Sequence, residues 1–236
     1  EKLRHGLMRQ LFTRGIGHTK FKKTEIGEAP NDWEVVKIKD SPIQLIDGDR
    51  GVNYPKQQDF SSGGYCLFLN NKNIKGDSFV FSDSQFIKRG KDEALRKGKL
   101  QRGDVVLTTR GTVGNVAYYD NSVTFENIRI NSGMLILRTF AGIEEEYLYH
   151  LMKSPLLKER YLEVASGSAQ PQLPIRNLEQ IYIPLPPEDE QLKVSEISKA
   201  VDEKISVNQK LKEKLTLLKK GLMQDLLSGQ VRVLTI

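Results

Sequence analysis

The residue types that carry catalysis are few in this chain, and they lie far apart. Its three histidines, His5, His18 and His150, have none of the spacings that bind a metal ion. The single cysteine, Cys66, has no histidine near it in the sequence to activate its thiol. Residues 110–114 read RGTVG, which lacks the Gly-Lys-Ser/Thr ending of a nucleotide-binding loop. We therefore predict no catalytic residue, no metal site and no cofactor bound by the chain itself.

The polar side chains of the predicted loops suit a different chemistry, the recognition of nucleic acid. Arginine, lysine, asparagine and glutamine read base edges, and the cations also bind phosphates. Each such residue alone is most simply a solvated surface residue, but as a set they favour a DNA-binding face. The residues predicted to form this face are Lys88, Arg89, Lys91, Arg110, Thr112, Arg129, Gln170 and Gln172. Further loop candidates are Arg50, Asn53, Lys72 and Asn73.

The charge distribution points the same way. The 236 residues carry a formal net charge of +6. Residues 86–110 hold eight Lys/Arg against three acids, whereas residues 187–228 hold eight of each sign. A basic body beside a neutral segment suggests a polyanion-binding domain with a protein-binding arm. A single cysteine and the lack of a long apolar run predict a cytoplasmic protein without an internal disulfide or a membrane span.

Short apolar runs between turn residues must position these loops. They predict strands at 67–69, at 78–81, in the segment 105–118 and over 128–137, the last with Gly133 inside it. Residues 14–32 and 40–66 read as a connector and a long polar loop. Residues 144–163 have the apolar spacing of two helices, the second starting at Pro155. The predicted fold class is α+β, a globular mixed α/β domain with a projecting coiled-coil helix.

That helix extends from Pro186 to about Ser228, with no glycine or proline between Pro187 and Gly221. Its apolar residues recur in a seven-residue pattern over about four heptads, which is typical of a coiled coil. The alternative is a long surface helix packed on its own domain. The predicted coiled-coil interface consists of Ile197, Val201, Asn208, Leu211, Leu215, Leu218 and Leu222.

The two ends of the chain repeat each other. LRHGLMRQLFT at residues 3–13 and LKKGLMQDLLS at residues 218–228 share Leu, Gly, Leu, Met and Leu in register. A Gly-Leu-Met match in register rarely arises by chance between two apolar helices. We therefore expect the first residues to be the end of a preceding, equivalent helix, and the chain to be one period of a longer repeat. A half-length protein that dimerises is the alternative.

Five motifs in a fixed order resemble the specificity subunit of type I restriction–modification systems. They are Pro30-x-x-Trp33, the Gly-Asp strand and Thr-Arg-Gly-Thr-Val-Gly loop at 103–114, Gln-Pro-Gln-Leu at 170–173, Ile-Pro-Leu-Pro-Pro-x-x-Glu-Gln at 183–191, and the Gly-Leu-Met segment at 218–229. The implied domains are the end of a conserved helix at 1–14, a target recognition domain at 15–186, a conserved coiled-coil helix at 187–229 and a tail at 230–236.

The resemblance also implies a function and partners. Such a subunit reads double-stranded DNA with two recognition domains, whereas this chain has one, so it would read half of a bipartite site. Modification subunits would methylate adenine with S-adenosylmethionine, and a restriction and motor subunit using ATP and magnesium would join for cleavage. The long helix would dock these subunits, and in this chain we expect it to self-associate. The alternative is a coiled-coil scaffold without sequence-specific DNA binding.

Overall fold

Short strands separated by glycine- and asparagine-rich turns build most of the chain, as the turn residues predict. The computed structural model describes residues 2–165 and 171–228. The helices of this part are α1 Lys2–Arg14, α2 Arg89–Ala94, α3 Glu145–Met152, α4 Pro155–Val164, α5 Ile175–Leu178 and α6 Glu188–Leu227. Its strands are β1 Phe21–Thr24, β2 Gly27–Pro30, β3 Glu34–Lys37, β4 Ile43–Asp47, β5 Cys66–Leu69, β6 Ile74–Lys75, β7 Ser78–Phe79, β8 Phe86–Ile87, β9 Val105–Thr108, β10 Val116–Tyr118, β11 Ile128–Ile130, β12 Met134–Thr139 and β13 Tyr182–Leu185.

The largest sheet in the described residues has four antiparallel strands in the order β10-β9-β12-β4. All four residues of β9 are buried, as its continuous apolar run requires. In the register, Val106 lies opposite Ile136, and Ile136 also lies opposite Ile46. These three residues pack in the main apolar core. β4 is an edge strand of this sheet, because among the described strands it pairs only with β12.

The single strand predicted over 128–137 is wrong. The segment forms β11, which pairs in parallel with β5, and β12, which belongs to the four-stranded sheet. Between them, the Asn131 side chain accepts a hydrogen bond from the Gly133 amide, 2.9 Å between Oδ1 and N. Such a turn reverses the chain because the asparagine side chain replaces a backbone acceptor. Gly133 therefore marks the junction between two sheets.

Two segments read as loops contain strands. Residues 21–30 form the β1–β2 hairpin, which turns at Glu25 and Ile26; Gly27, with φ +104°, begins β2 directly after the turn. Residues 43–47 form β4, although turn residues stand on both sides of it. The two helices predicted over 144–163 are confirmed as α3 and α4. Pro155 occupies the first turn of α4, where its missing N–H costs no hydrogen bond.

The first turn of α6 is fixed by two adjacent polar side chains. The Glu190 carboxylate accepts hydrogen bonds from the buried Trp33 indole, 2.8 Å away, and from the Ile16 amide, 2.9 Å away. Gln191 accepts from the Glu144 amide at 2.9 Å and donates to the Gly142 and Pro186 carbonyls. The Glu-Gln pair of the 183–191 motif thus joins the start of the helix to distant parts of the chain.

The predicted long helix is confirmed as α6, which has 40 residues. The chain divides into two compact units, Glu1–Ser195 and Glu196–Ile236, so the division falls inside α6 rather than at its start. Within the second unit, Leu211, Leu215, Leu218 and Leu222 of the predicted interface are all more than half exposed. No helix of the described residues has the length and apolar content to cross a membrane.

Candidate nucleic-acid interface

Three adjoining cavities of about 610, 310 and 270 Å³ form one concave surface on the first unit. We call this surface the basic cleft. Asp47 lines all three cavities, so they adjoin at this residue. The cations that line the cleft are Arg50, Arg96, Lys97, Lys99, Arg110, Arg129, Arg138 and Arg176. Its uncharged polar residues are Gln44, Gln101, Thr109 and Gln172.

Segments far apart in the sequence meet at the cleft. β4 supplies residues 44–47, the connector between α2 and β9 supplies 96–101, and the segment before α5 supplies 172–174. An isolated antiparallel β-bridge joins the backbones of Arg110 and Gln172, and the Leu173 amide donates a hydrogen bond to the Thr109 carbonyl at 2.8 Å. The cleft is therefore a product of the tertiary fold, held by backbone hydrogen bonds.

Asp49 joins two of these segments. Its carboxylate accepts hydrogen bonds from the Gly51 amide and the Arg96 amide, both at 2.7 Å. These backbone hydrogen bonds, first that from Gly51 and then that from Arg96, lower the pKa of Asp49. Asp49 therefore stays ionised at neutral pH and fixes the backbone that presents the exposed Arg96 and Lys97 side chains.

Behind the exposed cations lie two ion pairs, one buried and one partly buried. The Arg129 guanidinium donates from Nε to the Asp92 carboxylate at 2.5 Å and from its other nitrogens to the carbonyls of Lys97 and Asp92. Burial opposes ionisation of Asp92, but hydrogen bonds from Lys99 and Arg129 leave its pKa below the ordinary value. A second pair joins Arg138 to Asp104 at 2.8 Å. These pairs support the floor of the cleft.

The structure corrects the predicted place of Arg129. Only 5% of the residue is exposed, and all three of its guanidinium nitrogens donate within the protein. It therefore cannot lie on a surface loop, and its role is structural. Asn73 is also buried, and its side chain bonds the backbone of Asn70, Val80 and Asp83.

The other predicted contacts fall into two groups. Arg110 and Gln172 line the cleft together, and Thr112 is exposed in the turn that follows Arg110. Lys88, Arg89 and Lys91 lie at or in α2: Lys88 is exposed, Arg89 lies 4.7 Å from the Tyr65 ring centre, and Lys91 pairs with Asp59 at 3.1 Å. Lys99 lies 5.8 Å from the same ring centre, so Tyr65 connects this group to the cleft. Gln170 lies outside the described residues.

The prediction missed several cations and amides of the cleft. Arg96 and Lys97 belong to the basic stretch 86–110, and that stretch was the signal that could have selected them. Arg176 follows the Gln-Pro-Gln-Leu motif by three residues, so the motif itself points to it. The sequence holds no signal that selects Gln44 and Asp47, because the turn residues around them predict a polar loop over 40–66.

Outside the cleft, His18, Asp32 and Glu190 form an acidic and imidazole cluster among the described residues. Glu190 lies 2.9 Å from Nε2 of His18, whereas Asp32 lies 3.5 Å from Nδ1. The two carboxylates thus approach opposite ring nitrogens, and Glu190 already accepts from Trp33 and Ile16. This geometry suits a hydrogen-bonded anchor for α6 better than one metal ion.

The Cys66 thiol is also unsuited to catalysis. It is fully buried, and burial together with the negative charge of Asp92 raises its pKa to about 12. A nucleophilic cysteine needs a thiolate at neutral pH. Cys66 therefore acts as a small core residue.

Gly48 is required for the shape of the cleft. A Cβ at this position would lie against the Asn131 backbone carbonyl, which cannot rotate away. We expect Gly48→Ala to lower the free energy of unfolding by about 1–3 kcal/mol, as overpacking does in a tight core. Urea denaturation measures this change. Gly63→Ala is the matched control, because its Cβ would meet no atom within 4 Å; an equal loss in both variants would contradict the assignment.

The comparisons with known proteins agree with this architecture. The specificity subunit of the type I restriction enzyme MjaVIII from Methanocaldococcus jannaschii is 30% identical over 98% of this chain and 54% of that protein. A chain from a structure on complex assembly and conformational transition of the type I R-M system matches with TM-score 0.69 at 16% identity, over 94% of this chain and 49% of that one. The HsdS subunit from Thermoanaerobacter tengcongensis matches with TM-score 0.62 at 16% identity, over 95% and 49%.

At such identities the structural matches show the fold alone, which confirms the α+β class. The chain spans about half the length of the curated relative and of the solved structures named here. Residues 30–217 match the family described as the type I restriction modification DNA specificity domain. This match covers most of the chain and all the described segments of the basic cleft. The chain therefore belongs to the family of type I restriction–modification DNA specificity domains.

Proposed function

We propose that this chain recognises one half of a bipartite duplex DNA site through the basic cleft. The observation that carries the proposal is the concentration of exposed cations around hydrogen-bonding side chains on one concave surface. Arg96, Lys97, Arg110 and Arg176 are exposed there, and Gln172 lies among them. Cations at the rim bind phosphates and set the register, while amides and hydroxyls read base edges.

In this proposal the chain recognises DNA and performs no chemistry itself. Modification subunits would supply adenine methylation with S-adenosylmethionine, and a restriction subunit would supply cleavage with ATP and magnesium. α6 is the proposed docking element for these partners, because its second half carries exposed leucines at coiled-coil spacing. With genomic DNA as the substrate, the proposed compartment is the cytoplasm.

The test of recognition is selection of duplexes from a random-sequence library by the complete specificity polypeptide together with its modification subunit. Sequencing of the methylated sites in a strain that carries the whole system gives an independent motif. We expect both measurements to return the same bipartite sequence. Selection without any sequence preference would overturn recognition and favour the scaffold alternative.

We also propose that α6 pairs with an equivalent helix. The terminal repeat supports this, because its two copies differ in burial. In α1, Met8, Leu11 and Phe12 are buried within the first unit. Their counterparts Met223, Leu226 and Leu227 are 50%, 46% and 83% exposed. Exposed apolar side chains in register with buried ones indicate a surface that a partner covers.

For this isolated chain we expect a concentration-dependent dimer in analytical ultracentrifugation. Replacing Leu211, Leu215 and Leu218 with serine should raise the dimer dissociation constant by more than tenfold, because each leucine contributes about 1.5–3 kcal/mol when fully buried. Lys210, Lys212 and Lys214, replaced by glutamine, provide a control on the same turns of the helix. A monomer at high concentration would contradict self-association.

A further inference from the structure

Asp47 stands out in the basic cleft because its charge is opposite to that of the surrounding surface. Among the described residues that line the three cavities, Asp47 and Asp49 are the acids. Asp49 is 5% exposed, and each of its carboxylate oxygens accepts a backbone N–H. The Asp47 side chain is 24% exposed and lines all three cavities. It is therefore the acid that faces a molecule bound in the cleft.

The partner of Asp47 in this structure is held weakly. Nη2 of Arg50 lies 3.1 Å from one carboxylate oxygen and 3.3 Å from the other. The same nitrogen also lies 3.3 Å from the Ser132 carbonyl, and half of the Arg50 side chain is exposed. Exposed ion pairs of this kind exchange easily, since solvent screens them. A carboxylate has about four lone-pair sites, so Asp47 keeps acceptor capacity for another donor.

The negative charge of Asp47 limits which group of the DNA can lie next to it. A carboxylate repels phosphates, so the DNA backbone lies against the cations of the rim and not against Asp47. The group that faces Asp47 must be a hydrogen-bond donor, because a carboxylate only accepts. In the major groove the donors are the exocyclic amines, N4 of cytosine and N6 of adenine. Each base pair presents one such amine, which belongs to the cytosine of a G·C pair or to the adenine of an A·T pair.

On the basis of the proposed function, we propose that Asp47 is a specificity-determining residue. Its carboxylate accepts a hydrogen bond from the exocyclic amine of a cytosine or an adenine in the recognised half-site. Arg50 holds this carboxylate in place in the free protein and is released toward DNA on binding. The neighbouring cations bind phosphates and add no discrimination at this position.

The test is Asp47→Asn in the complete specificity polypeptide with its modification subunit, read by duplex selection and by methylation sequencing. The amide has the same shape but adds a donor, so it also bonds base acceptors. We expect one position of the half-site to become degenerate, with a loss of discrimination there of roughly 5- to 100-fold. Affinity for random DNA should rise, because the repulsion of phosphates is removed. The degenerate position identifies the base, cytosine or adenine.

Two further variants make the result decisive. Glu126→Gln removes an exposed acid that pairs with Arg102 at 2.9 Å outside the cleft, and it should leave the motif unchanged. Arg50→Gln removes the partner of Asp47; it should weaken binding at all sequences while the motif stays the same. An unchanged motif in Asp47→Asn, with wild-type selection intact, would overturn the inference alone. A wild-type protein without any motif would instead overturn the proposed function.

Discussion

Replacing Arg129 with methionine is expected to lower the free energy of unfolding by about 3–5 kcal/mol. The side chains of Arg129 and Asp92 are 7% and 2% exposed, so the substitution leaves a buried carboxylate with only one of its two cationic partners. Lys99, whose Nζ lies 2.6 Å from the Asp92 carboxylate, compensates for the lost charge only in part. It cannot replace the hydrogen bonds from the Arg129 guanidinium to the carbonyls of Lys97 and Asp92. Urea denaturation of the purified protein measures the loss.

The pH dependence of this loss provides an internal check. Because the folded pKa of Asp92 lies below its ordinary value of 3.8, the ion pair stabilises the fold above about pH 4. Its contribution disappears as the pH falls through the folded pKa, where the carboxyl becomes protonated and needs no cation. The difference between wild type and variant should therefore shrink in acid. Arg96→Met, at a side chain 78% exposed, is the control, and we expect a change within about 0.5 kcal/mol. Equal losses in both would contradict a structural role specific to Arg129.

Neutralising the rim of the cleft is expected to have the largest effect on DNA binding. Replacing Arg96, Lys97 and Arg110 together with glutamine should lower the affinity for DNA at 0.1 M salt by about 10²- to 10³-fold. Each phosphate contact releases counterions, so the slope of log affinity against log salt should drop by about 0.9 per contact. Fluorescence anisotropy over a salt series measures both quantities.

The matched control removes the same charge elsewhere. Lys20, Lys22 and Lys23 are exposed at the β1–β2 hairpin and do not line the cleft. Their replacement by glutamine should leave the salt slope within about 0.5 of the wild-type value, since no direct phosphate contact is lost. Equal effects from both triple variants would mean that net charge alone drives binding. That result would reject the cleft as the DNA-binding surface.

Local patterns in the sequence predicted the helices and the buried strands, because periodicity and apolar runs act over short distances. The same patterns failed where a side chain decides between two local structures. The Asn131 carboxamide splits the apolar segment 128–137 into strands of two sheets, and nothing in the periodicity marks the break. β4 was missed because its five residues lie between turn residues and carry two polar side chains, Gln44 and Asp47.

The candidate site was predicted only in part, for a related reason. Charge density pointed to residues 86–110, and both Arg96 and Arg110 line the cleft. Composition cannot tell an exposed cation from a buried one. It therefore places Arg129 on the predicted DNA-binding face, although this side chain is buried against Asp92. Residues 44–47 and 172–176 reach the same surface only through the pairing of β4 with β12 and of Arg110 with Gln172.

The position of β4 at the end of its sheet has a consequence for how the protein behaves in concentrated solution. One edge of β4 pairs with β12, and the other edge has no neighbouring strand among the described residues; residues 44–47 of this strand line the cleft. An open strand edge is a template for aggregation, and charged side chains beside it keep identical edges from meeting. Arg96 and Lys97, which are exposed and line the cleft with β4, provide this repulsion between copies of the chain. The cations that attract DNA therefore also protect colloidal solubility, and variants that lose them should precipitate at lower protein concentration.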